Sequence, residues 1–193
     1  MRLFFCLRVF LLICWRCKES VQGPICVSCG VIQPPPANPD YFSILGIPRR
    51  YAVTGLDEAH RMLTRRVHPD RFIKKSAVER RMALQWMASA NEAKRIIKDP
   101  LIRARYLATG RVAPSERGNF SLPPEFLELI FELQMERDAD PAGVKRQATE
   151  IHRNLMLQME GIFEAWDADD GELTDVEGIL AKLKYTTNLI KGH

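Results

Sequence analysis

His68 and Asp70 stand two residues apart with Pro69 between them, an imidazole and a carboxylate flanking a residue with no amide proton. Such a pair is the raw material of general acid–base chemistry. Four cysteines form a second constellation: Cys14 and Cys17, then Cys26 and Cys29, two C-x-x-C pairs separated by eight residues. Two facing knuckles of that kind supply four thiolates in the tetrahedral arrangement that structural zinc prefers. Gly30, just after the second pair, suits the tight turn of a knuckle. With Cys6, all five cysteines fall in the first thirty residues, whereas a secreted disulfide scaffold spreads them through the fold. A redox dithiol is the competing use, but a redox C-x-x-C opens a helix after a strand, and that context is absent here. The expectation is structural zinc on Cys14, Cys17, Cys26 and Cys29. Metal binding would then have to order a module too short for a core of its own.

The elements that carry these groups are helical in pattern. Asp40 to Gly46 is a short apolar turn of helix closed by Gly46. Thr54-Gly55-Leu56-Asp57 opens the next helix, in which Leu56, His60, Leu63 and Val67 share a face, while Arg61, Arg65 and Arg66 lie mostly off it. Pro69 disfavours helical backbone at His68, so that helix stops near Val67. A long helix follows from about Ala77 to Lys98, with Leu84, Met87, Asn91 and Lys94 along one line and Ala88, Ala93, Ile96 and Ile97 nearby. Asp99-Pro100 ends it, and Leu101 to Leu107 form a further short helix. His68 and Asp70 are therefore displayed on a rigid turn between antiparallel helices. His60 reads as a partly buried helix histidine rather than a ligand.

Charge divides the chain. Residues 125–179 carry fifteen Asp/Glu against four Lys/Arg, a net of −11 in a chain of net +4, so the remainder is strongly basic. Two halves with differently charged partners are implied, the basic one facing nucleic acid or an acidic protein surface. Within the acidic half, Pro124 opens a helix whose inward face is Phe126, Leu129, Ile130 and Leu133. Leu127, Phe131 and Met135 form a second line at i, i+4 and i+8, rimmed by Glu128 and Glu132. That line is either a partner site or a face buried inside its own bundle. Two more helices follow, about Pro141–Trp166 with Val144, Ala148, Ile151, Leu155, Met159 and Ile162 inward, and about Leu173–Ile190 with Val176, Leu180, Leu183 and Thr187 inward. Tyr185 points off that last line. The three helices suggest an antiparallel bundle.

The division expected from these patterns is an apolar segment over 1–13, a zinc-knuckle module over 14–33 and a stiff proline linker over 34–39, starting at Gln33-Pro34-Pro35-Pro36. A four-helix region over 40–112, a loop over 113–122 and a three-helix bundle over 123–193 complete it. The apolar first segment is too short to span a bilayer and is interrupted by Arg8. No small-residue cleavage site follows it. A start assigned too far upstream, a targeting segment and a packed N-terminal arm are the alternatives.

Several of these segments resemble a known family. Asp40-Tyr41-Phe42, the basic helix before His68-Pro69-Asp70-Arg71-Phe72, Ala90-Asn91-Glu92-Ala93 and Asp99-Pro100-Leu101 with Arg103-Ala104-Arg105-Tyr106-Leu107 resemble a J-domain. More narrowly they resemble HscB, the J-type co-chaperone family of iron–sulfur cluster biogenesis. Phe126-Leu127 through Glu132, Trp166-Asp167-Ala168 and Lys182-Leu183-Lys184-Tyr185 are similar to that family's C-terminal bundle, and the paired C-x-x-C motifs resemble the zinc-knuckle extension of its metazoan-type members. The chain departs from the family where an aromatic is usual at His60 and Lys94, a methionine at Glu128 and a carboxylate at Met135.

The resemblance implies an all-α protein, a J-domain hairpin and a three-helix bundle preceded by the knuckle module. It implies no catalytic site of the chain's own. His68, Pro69, Asp70 and Arg71, with Arg61, Arg65 and Arg66, would dock on a DnaK/HscA-type chaperone and stimulate its ATPase. Leu127, Phe131, Glu132, Met135 and Tyr185 would bind an IscU-type scaffold. No nucleic acid or membrane is expected as partner, and self-association is a further option. The compartment implied is the cytoplasm for a bacterial chain and the mitochondrial matrix for a eukaryotic one. Three other uses can be set beside this. His68 and Asp70 as a catalytic dyad lack any nucleophile, phosphate loop or pocket around them. Nucleic-acid binding by the knuckles and basic half predicts strong salt dependence. Thiol–disulfide exchange by the cysteine pairs predicts insulin reduction that survives excess zinc.

Overall fold

The structure is a computed structural model that describes residues 12–38, 40–113, 122–168 and 171–192. The expectations for most of the first thirteen residues and of the 113–122 loop, and for part of the turn at Asp167–Gly171, lie outside the described residues. Among those described, helices dominate, as expected: α1 (Tyr41–Leu45), α2 (Leu56–Val67), α3 (Ala77–Lys98), α4 (Pro100–Thr109), α5 (Pro124–Glu136), α6 (Pro141–Asp167) and α7 (Val176–Lys191). Ahead of them two short strands, β1 (Leu12–Ile13) and β2 (Ser20–Val21), pair antiparallel.

The chain packs as two compact units, one reaching to Pro48 and resuming over Gly55–Ile97, the other holding Arg49–Thr54 and the chain from Lys98 onward. In the first unit the ends of the helices are fixed locally. Asp40 caps α1 by accepting from the Ser43 amide at 3.0 Å, and Gly46 closes it in left-handed backbone at φ 67°. After the turn, α3 starts from a reciprocal capping box. The Ser76 amide donates to Glu79 Oε2 at 3.0 Å and the Glu79 amide donates to Ser76 Oγ at 3.3 Å. The Ser76 hydroxyl, donating to the same Oε2 at 2.8 Å, and then the Ser76 amide hold the Glu79 carboxyl below its ordinary range. Leu63 and Val67 of α2 are buried, while Leu56 and His60 are half-buried on the same face.

In α3 the buried residues are Ala83, Trp86, Ala90, Ala93, Ile96 and Ile97, whereas Leu84 is 60% exposed and Ala88 is exposed. The expected line through Leu84, Met87, Asn91 and Lys94 is therefore not the core. Its last two residues turn to α2 through polar bonds instead. Asn91 Oδ1 lies 2.9 Å from His60 Nε2, and Lys94 Nζ lies 2.8 Å from Asp57 Oδ1. These pairings run in opposite directions along the two helices, so α2 and α3 are antiparallel. They also stand where the HscB pattern has aromatics, a polar clasp in place of an apolar one.

In the second unit α6 and α7 pack along each other and α4 packs on α7. Ile130, Leu133, Val144, Ala148 and Leu189 form a core cluster, with Phe126, Leu129, Ile151 and Ile190 against it. Two expectations shift by one residue. Phe163 rather than Ile162 is fully buried on α6, and Thr186 rather than Thr187 on α7. Phe163 is drawn in because it stacks on Tyr51, with centroids 4.2 Å apart and planes 10° apart, and Arg103 lies 4.6 Å over the other member of that stack, Tyr51. Asp167, at the end of α6, accepts from the Tyr51 and Ala52 amides at 3.3 and 3.2 Å. Thr186 carries its hydroxyl inward because that hydroxyl donates to the Leu183 carbonyl at 3.1 Å, leaving its oxygen to accept from His152 Nδ1 at 3.0 Å.

Candidate functional site

The turn after α2 is built by the backbone before any side chain acts. His68 leaves the helical region at φ −58°, ψ 130°, and Pro69–Phe72 continue as a single 3-10 turn with Pro69 at its start. The Arg71 amide donates to the His68 carbonyl at 3.0 Å, and the Arg71 guanidinium donates to the Arg65 carbonyl at 3.3 Å, tying the turn back onto α2. Phe72 is buried at 5% exposure and anchors the far side. His68 and Asp70 are left outside. The Asp70 amide donates to His68 Nδ1 at 3.4 Å, and Asp70 Oδ2 lies 3.4 Å from the same nitrogen, with the two side chains 48% and 77% exposed. Arg61, Arg65 and Arg66 are exposed on α2, where Arg61 pairs with Glu58 one turn back. The turn is a rigid, open, polar surface.

The tetracysteine module is two copies of one loop. The Cys14 amide donates to Glu19 O at 2.8 Å and the Lys18 amide to Cys14 O at 3.0 Å. Twelve residues on, the Cys26 amide donates to Val31 O at 2.9 Å and the Gly30 amide to Cys26 O at 2.9 Å. The closing residue is left-handed in both, Gly30 at φ 70° and Lys18 at φ 66°. Glycine reaches this backbone freely, whereas lysine pays for it. The loops bring the four sulfurs within 4.8 Å of one another, with Cys14–Cys29 and Cys17–Cys26 each at 3.6 Å. A zinc–sulfur bond of about 2.3 Å in a tetrahedron sets sulfurs about 3.8 Å apart, so this donor set fits the ion.

The neighbouring amides and sulfurs shift the thiols in opposite directions. Burial pushes Cys14 up, but the amides of Cys17 and Arg16 and the thiols of Cys17 and Cys29 outweigh it and bring it down to about 6. Cys17 moves the other way, to about 12. There the Glu19 amide pulls down, while burial and the neighbouring sulfurs push up more strongly. Cys14, Val21 and Cys26 form a buried cluster with Cys17 and Cys29 against it, and Val31 and Ile32 are buried as well, so sulfur shares a small core with a few aliphatic side chains.

The third surface is the outer face of α5. Leu127, Phe131 and Met135 are 44%, 63% and 69% exposed, with Glu128 and Glu132 beside them, while Ile130 and Leu133 fill the inner side. The alternative of a face buried within the bundle is thereby excluded. Tyr185 of α7 is 39% exposed and sets its ring edge against Phe126 at 6.5 Å, next to Leu127 in the chain.

Comparison with known proteins follows the same lines. No protein-family model matches the chain. A curated relative from Bordetella avium, a co-chaperone protein HscB homologue, is 46% identical over 139 residues, covering 70% of this chain and 80% of its own. The chain belongs to the HscB co-chaperone family. Another HscB homologue, from Cupriavidus taiwanensis, is 41% identical over 124 residues, covering 62% of this chain and 68% of its own. Two solved HscB structures share the architecture. Human co-chaperone HscB superposes with a TM-score of 0.74 at 24% identity over 94% of this chain and 96% of that one, a likeness of fold. Chaperone HscB from Vibrio cholerae gives 0.60 at 27% identity over 80% and 94%.

Within this HscB chain the four cysteines are brought to one point, and His68 and Asp70 to one turn. No described helix is long and apolar enough to cross a membrane. One residue escaped the sequence reading. Gln33, the last residue of the expected 14–33 module and the one that opens the proline run, is 1% exposed, a burial that its residue type did not announce. Its position before three prolines hid its role, because composition alone does not say which side chains of an extended run turn inward.

Proposed function

We propose that this chain is a co-chaperone that docks on a DnaK/HscA-type ATPase through His68, Pro69 and Asp70, with Arg61, Arg65, Arg66 and Arg71 supporting the contact. The observation that carries this is the turn itself, a polar pair held outward on backbone that Arg71 and Phe72 fix in place. A surface of this kind acts by preferring one state of its partner. It would raise hydrolysis in the chaperone by binding the hydrolysing, tight-binding state better than the other. The reacting atoms belong to the chaperone, and this chain supplies no catalytic group.

The outer face of α5 is proposed as the seat of the client, an iron–sulfur scaffold of IscU type, through Leu127, Phe131, Glu132 and Met135, with Tyr185 on the last helix. An apolar line rimmed by carboxylates favours a partner with an apolar patch and basic margins. The knuckle is proposed as a structural zinc site. Zinc there would supply folding free energy, about 10–16 kcal/mol apparent in small zinc-finger peptides. The J-domain is taken over 40–112 and the client-binding bundle over 123–193. Bacterial relatives support a cytoplasmic setting.

Co-purification tests the whole reading. Tagged protein expressed at native level should retain both a DnaK-type chaperone and an iron–sulfur scaffold. Retention of neither, with salt-dependent retention of nucleic acid instead, would contradict it.

A further inference from the structure

We propose that Gln33 is the positioning residue of the tetracysteine site and that it ties the state of that site to α3 through Trp86. The inference rests on the reading of the four thiolates as a metal site.

Gln33 is buried at 1% exposure, and all of its polar groups are used. Its side-chain nitrogen donates to Val31 O at 2.9 Å and to Cys14 Sγ at 3.3 Å, and its side-chain oxygen accepts from the Trp15 amide at 3.2 Å. Backbone partners fix which way the amide faces. Turned over, its oxygen would meet the Val31 carbonyl and its nitrogen would meet the Trp15 N–H, two repulsive contacts. The N–H aimed at Cys14 is therefore locked by the fold. It adds to the Cys17 amide, which reaches the same sulfur at 3.5 Å. A donor held against a ligand sulfur stabilises the thiolate and orients it.

The main chain of the same residue faces α3. The Gln33 amide donates to Pro24 O at 2.8 Å, and its carbonyl accepts from Trp86 Nε1 at 2.7 Å. Trp86 is 5% exposed, and a buried indole N–H needs a partner. One residue thus touches a metal-site sulfur with its side chain and the long helix after the His68 turn with its backbone. Without a cation the loops that carry Cys14 and Cys26 lose the ion that joins them, and the hold on Gln33 loosens with it. The carbonyl then leaves Trp86, and α3 loses a brace. The knuckle is a metal-dependent support for α3 rather than a separate module on a tether.

Fluorine NMR on the full chain carrying fluorotryptophan tests this. It has three tryptophans, Trp15, Trp86 and Trp166, and the Trp86 resonance is the one lost in Trp86→Phe. Removing zinc with a chelator should shift the Trp86 resonance and leave that of Trp166 in place. In chelator competition Gln33→Met should lose about 10–100-fold in zinc affinity, the usual cost of deleting a partner of a metal ligand. Trp86→Phe, which leaves every sulfur and Gln33 itself intact, should release zinc several-fold faster even if Gln33→Met fails to fold. An unmoved Trp86 resonance, or wild-type zinc release in Trp86→Phe, overturns the link to α3. Unchanged zinc affinity in a folded Gln33→Met overturns the positioning role. A wild-type chain that takes no zinc overturns the metal reading itself, and the same titration shows this before any variant is made.

Discussion

His68 and Asp70 are exposed because the backbone leaves them no other place: Pro69 ends α2, and Arg71 and Phe72 pin the turn from both sides. Leu127, Phe131 and Met135 are exposed for a different reason. Ile130 and Leu133 already fill the inner side of α5, so the second apolar line has nothing left to pack on. A polar pair on a rigid turn costs the fold little. An exposed leucine or phenylalanine forgoes about 1.5–3 kcal/mol of burial each. The turn thus depends on backbone geometry and charge, the α5 face on apolar area, and the two should respond to different perturbations.

The sharpest contrast lies within α5. Leu133→Ala opens a cavity in the bundle core and should cost about 2–5 kcal/mol of stability, read from urea unfolding. Phe131→Ala, one helical side away, should change stability by about 0.5 kcal/mol or less. Loss of stability on both faces would mean that the outer line is packed after all. The converse holds for binding. Leu127→Ala with Phe131→Ala should weaken scaffold binding about thirtyfold by calorimetry, as truncation of central apolar anchors does, and leave chaperone stimulation intact. At the turn, replacing Arg65 and Arg66 by alanine should slow association with the chaperone about tenfold or less and flatten its salt dependence, with scaffold affinity unchanged. An effect on the scaffold instead would merge the two surfaces.

The smallest effect is one of pH. Burial lowers the pKa of His152, whose Nδ1–H donates to Thr186. A histidine depressed in the folded state leaves stability whole above its ordinary pKa near 6.5. Stability is lost as pH falls below that value and the unfolded chain takes up the proton first. Urea midpoints should therefore drop between pH 7 and pH 5, and less so in His152→Asn. A drop of equal size in that variant would assign it elsewhere.

Local chemistry made much of this fold legible. Pro69, Gly46 and Asp99-Pro100 mark helix ends because each acts on its own backbone, and α3 runs over the residues its periodicity predicts. Paired C-x-x-C spacing brought four sulfurs together because the knuckle repeats one short loop. Features that depend on distant chain stayed hidden. Trp86 faces inward to meet a carbonyl 53 residues away, and small Ala83 and Ala90 beside it give no amphipathic signal of their own. Phe163 displaces Ile162 because Tyr51, far off in sequence, supplies a stacking partner. His60 and Lys94 read as departures from the family until Asn91 and Asp57 are found opposite them.

The proposal for the turn is tested most directly by the steady-state ATP hydrolysis of a DnaK/HscA-type chaperone, measured with this chain, with His68→Gln and with Asp70→Asn. Stimulation should be strong with the wild type and absent with either variant, while both variants bind scaffold and unfold at the wild-type urea midpoint. Full stimulation by His68→Gln, or none by the wild type, would contradict it.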